Sequence, residues 1–167
     1  ALKNAKHDTV RCDILYQLSA VANDEEWPKY NQQLLALAEN KLQSNSPSKK
    51  TYLRYLAEAT NNVGFLAQMQ NDTPEALKCF NKSFNIFQEL LDKEGMASTL
   101  NNMASIYEDQ GDIPTALVYY NKSLKIISET TDEYGVAAAL HNIGLLYKNQ
   151  GNITQALEFC SRSLKIR

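Results

Sequence analysis

The chain repeats itself. Setting residues 97–127 over residues 137–167 brings thirteen identities into register, among them Leu100/Leu140, Asn102/Asn142, Tyr107/Tyr147, Gly111/Gly151, Ala116/Ala156 and Ser123/Ser163. A further shift of 40 residues adds twelve matches from 57–87, including Asn61-Asn62, Asp72, Pro74, Ala76-Leu77 and Asn81-Lys82-Ser83. Chance supplies about two per comparison, so the duplication decides the architecture: a stack of similar units, none able to bury its apolar face alone.

Each unit reads as two amphipathic helices. In the last, Leu140, Ile143, Leu146 and Tyr147 recur at helical spacing, Gln150-Gly151-Asn152 interrupts, and Ile153, Ala156, Leu157, Cys160 and Leu164 resume the period. Gly111 and Gly151 supply the left-handed residue that ends a helix, with Asn71 the next-best residue in the earlier unit. Asp72, Asp112 and Asn152 stand where an N-cap is wanted, and Pro74 and Pro114 fall in the first helical turn, where no backbone donor is lost. Asp132 caps the next first helix, and the Lys93-Glu94-Gly95 stretch is expected to start the equivalent helix 40 residues earlier. The predicted fold is all-α, a right-handed α-solenoid of antiparallel helix pairs. Repeats are expected at about 51–91, 92–130 and 131–167 within a single domain, 47–167.

The first 46 residues are less regular. Asp8 to Ala22 and Trp27 to Leu42 have helical apolar spacing, so 1–46 reads as a degenerate N-terminal capping helix pair. Placing Leu18 and Ser19 over Ile143 and Gly144 puts Asn31 where the array wants Ala, which predicts a splayed or tilted pair. The stretch Gln43 to Ser48 lengthens the spacing to the next unit, and Pro47 ends any helix before it.

Composition narrows function. With 167 residues, 44% apolar and 22% charged, the chain has the balance of a globular domain. A net charge of −2 without a basic run gives nucleic-acid binding no support, and no apolar run is long enough for membrane insertion. The start, Ala1-Leu2-Lys3-Asn4, has neither signal-peptide character nor an initiator Met, so the chain reads as a piece of a longer array. His7 and His141 are the only histidines, and no catalytic, metal-binding or phosphate-loop motif occurs. No enzyme activity, cofactor or metal is expected. Cys12, Cys79 and Cys160 read as small packing residues rather than a disulfide framework.

Small residues at Gly64/Ala104/Gly144, Ala76/Ala116/Ala156 and Ser83/Ser123/Ser163, with aromatics at Tyr107/Tyr147 and Phe80/Tyr120, resemble the tetratricopeptide repeat. The length is similar to the long-helix variety of kinesin light chains, GoLoco-binding polarity scaffolds and bacterial regulatory proteins, including sensor regions of some histidine kinases. Thr60, Ala67 and Cys160 depart from the pattern, where a large apolar residue, a Tyr and an aromatic are usual.

Asn62, Asn102 and Asn142 recur at one place on three first helices and are expected to form an amide ladder on the concave face. The resemblance implies that asparagines here hold peptide backbones. Their neighbours Asn61/Asn101/His141 and Phe65/Ser105/Leu145 vary, as specificity positions would. Purely local hydrogen bonding within the scaffold is the alternative for these amides. Function divides between a protein or peptide-binding scaffold with a regulatory or signalling role, a structural or oligomerisation spacer, and a small-molecule sensor. Leu157, Cys160 and Leu164 are expected to leave an apolar C-terminal face bare, open to self-association or to a following helix. Partner identity stays open, and so does the compartment, between the cytoplasm and an extracytoplasmic sensor region.

Overall fold

The computed structural model describes residues 7–44 and 47–166, so the expectations placed on the chain start, on Asn45-Ser46 and on Arg167 lie outside the described residues. Among the described residues there are eight helices and no strand: α1 (Asp8–Val21), α2 (Trp27–Leu42), α3 (Lys49–Met69), α4 (Thr73–Leu90), α5 (Lys93–Asp109), α6 (Ile113–Ile127), α7 (Glu133–Asn149) and α8 (Ile153–Ile166). The fold class is the expected one, an all-α solenoid of antiparallel helix pairs. The chain forms two compact units, Ala1–Leu90 and Leu91–Arg167.

Local chemistry sets each hairpin. Asn71, Gly111 and Gly151 take positive φ of 60°, 75° and 75°, which lets the next amide reach back into the helix. The Asp72, Asp112 and Asn152 N–H groups donate to the carbonyls of Ala67, Tyr107 and Tyr147 at 2.8, 2.8 and 2.9 Å. The same three side chains then accept from Glu75, Thr115 and Gln155, capping α4, α6 and α8. Asp132 caps α7 through the Gly135 N–H at 2.9 Å. For α5 the cap is Asp92, which accepts from Gly95 at 3.0 Å, and not the Lys93-Glu94-Gly95 stretch itself. Asp92 lies one period before Asp132, so the repeat already marked it.

In the second unit α5 pairs with α6, α7 with α8, and α7 also covers α6. Ala104, Ala116, Tyr120, Ile143 and Leu146 form its core, with Leu117, Leu124 and Tyr147 packed around them. Gly144 is small because α8 crosses there: a Cβ would stand 2.7 Å from Cys160 Sγ. Gly64 does the same in the first unit, 2.7 Å from the Phe80 ring. Each regular pair is closed by one buried serine. Ser83, Ser123 and Ser163 donate to the carbonyls of Ala57, Ala97 and Ala137 at 2.9, 2.8 and 2.7 Å.

The α1–α2 pair lacks this serine bond. Ala38 stands in the serine position and cannot donate. Asn31 is buried, and its Nδ2 donates to the Ala59 carbonyl on α3 at 3.0 Å while its Oδ1 accepts from Asn62 Nδ2 at 3.0 Å. Asn31 is thus a satisfied joint between α2 and α3, where the sequence suggested a disturbance of the first pair. Cys12, Leu15, Leu34, Tyr52 and Ala59 pack around that joint.

Candidate functional site

Within each unit the first helices lie side by side, α1 beside α3 and α5 beside α7. This places Asn102 and Asn142 on neighbouring helices of the second unit, both half-buried. Of the residues beside them, His141 is exposed, Leu145 is 38% exposed, and Ser105 and Asn101 are half-buried. Asn101 Oδ1 is buried without a partner.

In the first unit Asn62 is half-buried, Phe65 is 46% exposed and Asn61 is buried. Asn62 therefore serves the scaffold through its bond to Asn31, and it also lines a cavity of about 360 Å³. With Nδ2 committed to Asn31, the carbonyl oxygen of that amide is the end left for a ligand. The cavity lies between α1 and α3 and is closed by the α1–α2 turn. Tyr16, Ser19 and Ala20 come from α1, Ala22 and Asp24 from the turn, Trp27 from the first residue of α2, and Glu58, Asn62 and Phe65 from α3. Trp27 and Phe65 meet at 6.3 Å between ring centroids, tilted by 44°.

Sequence reasoning reached Asn62 and Phe65 and missed Trp27, Glu58 and Tyr16. Trp27 is the only tryptophan in the chain, a signal that was available. Glu58 sits one period before Ser98, at a place where only the first repeat carries a charge, so the repeat alignment averaged it away.

Cys12, Cys79 and Tyr120 are buried packing residues. Burial pushes the Cys12 thiol up to about 11 and also raises Cys79, beside Glu75, so neither is a ready thiolate near neutral pH. Burial, with Glu108 beside it, raises the Tyr120 hydroxyl, which donates to Glu108 Oε2 at 3.0 Å. Among the described residues no His, Cys, Asp and Glu cluster could hold a metal ion, and no helix is long and apolar enough to cross a membrane. On α8, Leu157 and Leu164 are 66% and 72% exposed and Cys160 is half-buried.

Comparison with known proteins fits this geometry. Tetratricopeptide repeat profiles match residues 55–129 and 136–167, and the chain belongs to the tetratricopeptide repeat family. Among curated proteins, none matches. Among solved structures, the chain is similar to aspartyl phosphate phosphatase F from Bacillus subtilis, with a TM-score of 0.78 and 14% identity over 97% of this chain and 41% of that one. A Rap protein complexed with competence and sporulation factor gives 0.75 and 16% over 99% and 45%. Nearly identical TPR-like repeats of a putative kinesin light chain from Podosopora anserina give 0.59 and 18% over 97% and 77%. The chain thus spans less than half the length of the first two. At these identities the likeness concerns the fold.

Proposed function

We propose that the chain is a protein-interaction module whose first-helix faces hold an extended peptide or a helix, from another protein or another part of the parent chain, and that it performs no chemistry of its own. The observation that carries this reading is the recurrence of half-buried amides, Asn62, Asn102 and Asn142, at one place on three first helices. An amide offers both a donor and an acceptor, which suits a peptide backbone and demands no particular side chain. The Rap protein found with competence and sporulation factor supports the reading as a protein of similar fold bound to a partner. The phosphatase named among the similar structures shares 14% identity, which carries a fold and not an active site.

A random-peptide display selection against the chain supplies a ligand for the test. Asn102→Ala with Asn142→Ala should weaken that ligand at least tenfold, about 1.4 kcal/mol, while helical circular dichroism stays unchanged. A selection without binders, or an affinity that the double substitution leaves alone, overturns the reading; loss of the fold assigns these amides to the scaffold. The exposed Leu157 and Leu164 favour a second reading, self-association through α8.

A further inference from the structure

We infer that a cavity bounded by α2, α3 and α4 binds a small phenol, one uncharged aromatic ring bearing a hydroxyl. The site lies wholly within the first unit and uses none of the recurring amides, so it stands or falls independently of peptide binding. Its walls are Leu35 from α2, Thr60 and Val63 from α3 and Cys79 from α4. The volume, about 210 Å³, suits one ring, since an apolar cavity of roughly 150 Å³ already takes benzene. A second cavity of about 360 Å³ shares Leu35 and Val63 and extends past Pro28 and Leu66, which leaves room for a substituent on the ring.

Two observations select the ligand. The first is the Thr60 hydroxyl. Thr60 is 3% exposed, and among the described residues its oxygen and Asn101 Oδ1 are the buried side-chain polar atoms without a partner. A buried hydroxyl left unpaired is destabilising, and a ligand hydroxyl, able to donate and to accept, relieves it. The other polar groups of the lining are already matched: Glu75 accepts from Lys78 Nζ at 2.9 Å and from the Cys79 thiol at 3.6 Å, and Lys82 lies 3.8 Å from Glu39. No charge on the ligand is called for. The second observation is the pattern of the repeat. The Cys79 place holds Tyr119 and Phe159 in the later hairpins, each stacked on a ring of the neighbouring helix, and the Thr60 place holds Leu100 and Leu140. The repeat thus accommodates a ring and a branched chain at places where the first unit has a thiol and a hydroxyl, and a ring supplied from outside finds equivalent walls. An aliphatic ligand of the same size would leave the hydroxyl unmet, and a charged one would compete with ion pairs already made.

Titration of the chain with 4-methylphenol and with toluene, followed through the methyl resonances of Leu35 and Val63, tests the site. 4-Methylphenol should bind saturably and shift both residues. Thr60→Val keeps the shape of the side chain and removes its hydroxyl, so it should weaken 4-methylphenol at least fivefold and leave toluene unweakened. Thr60→Leu with Cys79→Phe fills the space and should abolish the response of Leu35 and Val63 to both ligands. A wild type without saturable shifts at these two residues overturns the inference. So does a Thr60→Val variant that binds 4-methylphenol as tightly as the wild type, or that loses both ligands alike. If the filled variant does not fold by circular dichroism, the Thr60→Val comparison decides alone.

Discussion

The hairpin α3–α4 and the hairpins α5–α6 and α7–α8 descend from one repeat, yet they are filled differently. In the second unit each hairpin carries a stacked aromatic pair: Tyr107 on Tyr119 at 5.3 Å, and Tyr147 on Phe159 at 5.6 Å. The same two places in the first unit are Ala67 and Cys79, both buried. Thr60 likewise stands where the later repeats bury Leu100 and Leu140. Two of these smaller side chains, Thr60 and Cys79, line a cavity of about 210 Å³ together with Leu35 and Val63, and the Thr60 hydroxyl is buried without a partner. At these places the second unit is filled by rings, whereas the first has room beside the Thr60 hydroxyl. A repeat can therefore keep its turn and its second-helix cap while its interior drifts, because these are specified by Asp or Asn, Gly or Asn, and Ser at a few places and the filling is a separate matter.

The largest difference should appear on overfilling the tight unit. Ala116 is fully buried between α5 and α6, so Ala116→Leu should cost about 1–3 kcal/mol or more in urea unfolding. Ala138→Leu, at a half-buried place on α7, should stay within about 0.5 kcal/mol. Equal tolerance at the two sites would break the comparison.

Filling the loose unit should act in the opposite direction and more modestly. Thr60→Leu restores the residue that the later repeats carry and removes an unpaired hydroxyl, so a gain of about 1–2 kcal/mol is expected. A loss of stability instead would mean that the hydroxyl serves a bound water and that the space is not idle.

The smallest effect on stability belongs to α8, whose apolar face nothing within its unit covers as α7 covers α6. Leu157→Glu with Leu164→Lys should leave unfolding nearly unchanged, since both side chains are already exposed. Light scattering should show concentration-dependent association of the wild type that the double variant lacks. A wild type that stays monomeric at high concentration removes the self-association reading.

Much of the fold is legible in sequence because its determinants are local. Asp112 and Thr115, or Gly111 and Tyr107, sit within a turn of one another, and the period repeats the signal until chance is excluded. Asn31 escapes such a reading for the complementary reason: its partners, the Ala59 carbonyl and Asn62, lie 28 and 31 residues away, and one of them is backbone. The candidate site divides in the same way. The amides recur and can be found by alignment, while the cavity depends on Trp27 and Glu58, which occur once and meet only when α1 lies against α3.

The serine that closes each regular hairpin reaches a carbonyl 26 residues back, inside its own repeat. Every copy of the repeat thus carries its own fastening, along with its own turn and second-helix cap. Such a unit can be duplicated whole without redesign of what precedes it, because the bond that fastens it has both ends inside the copy. The history of duplication written in the chain is then a consequence of a bond that never leaves its own repeat.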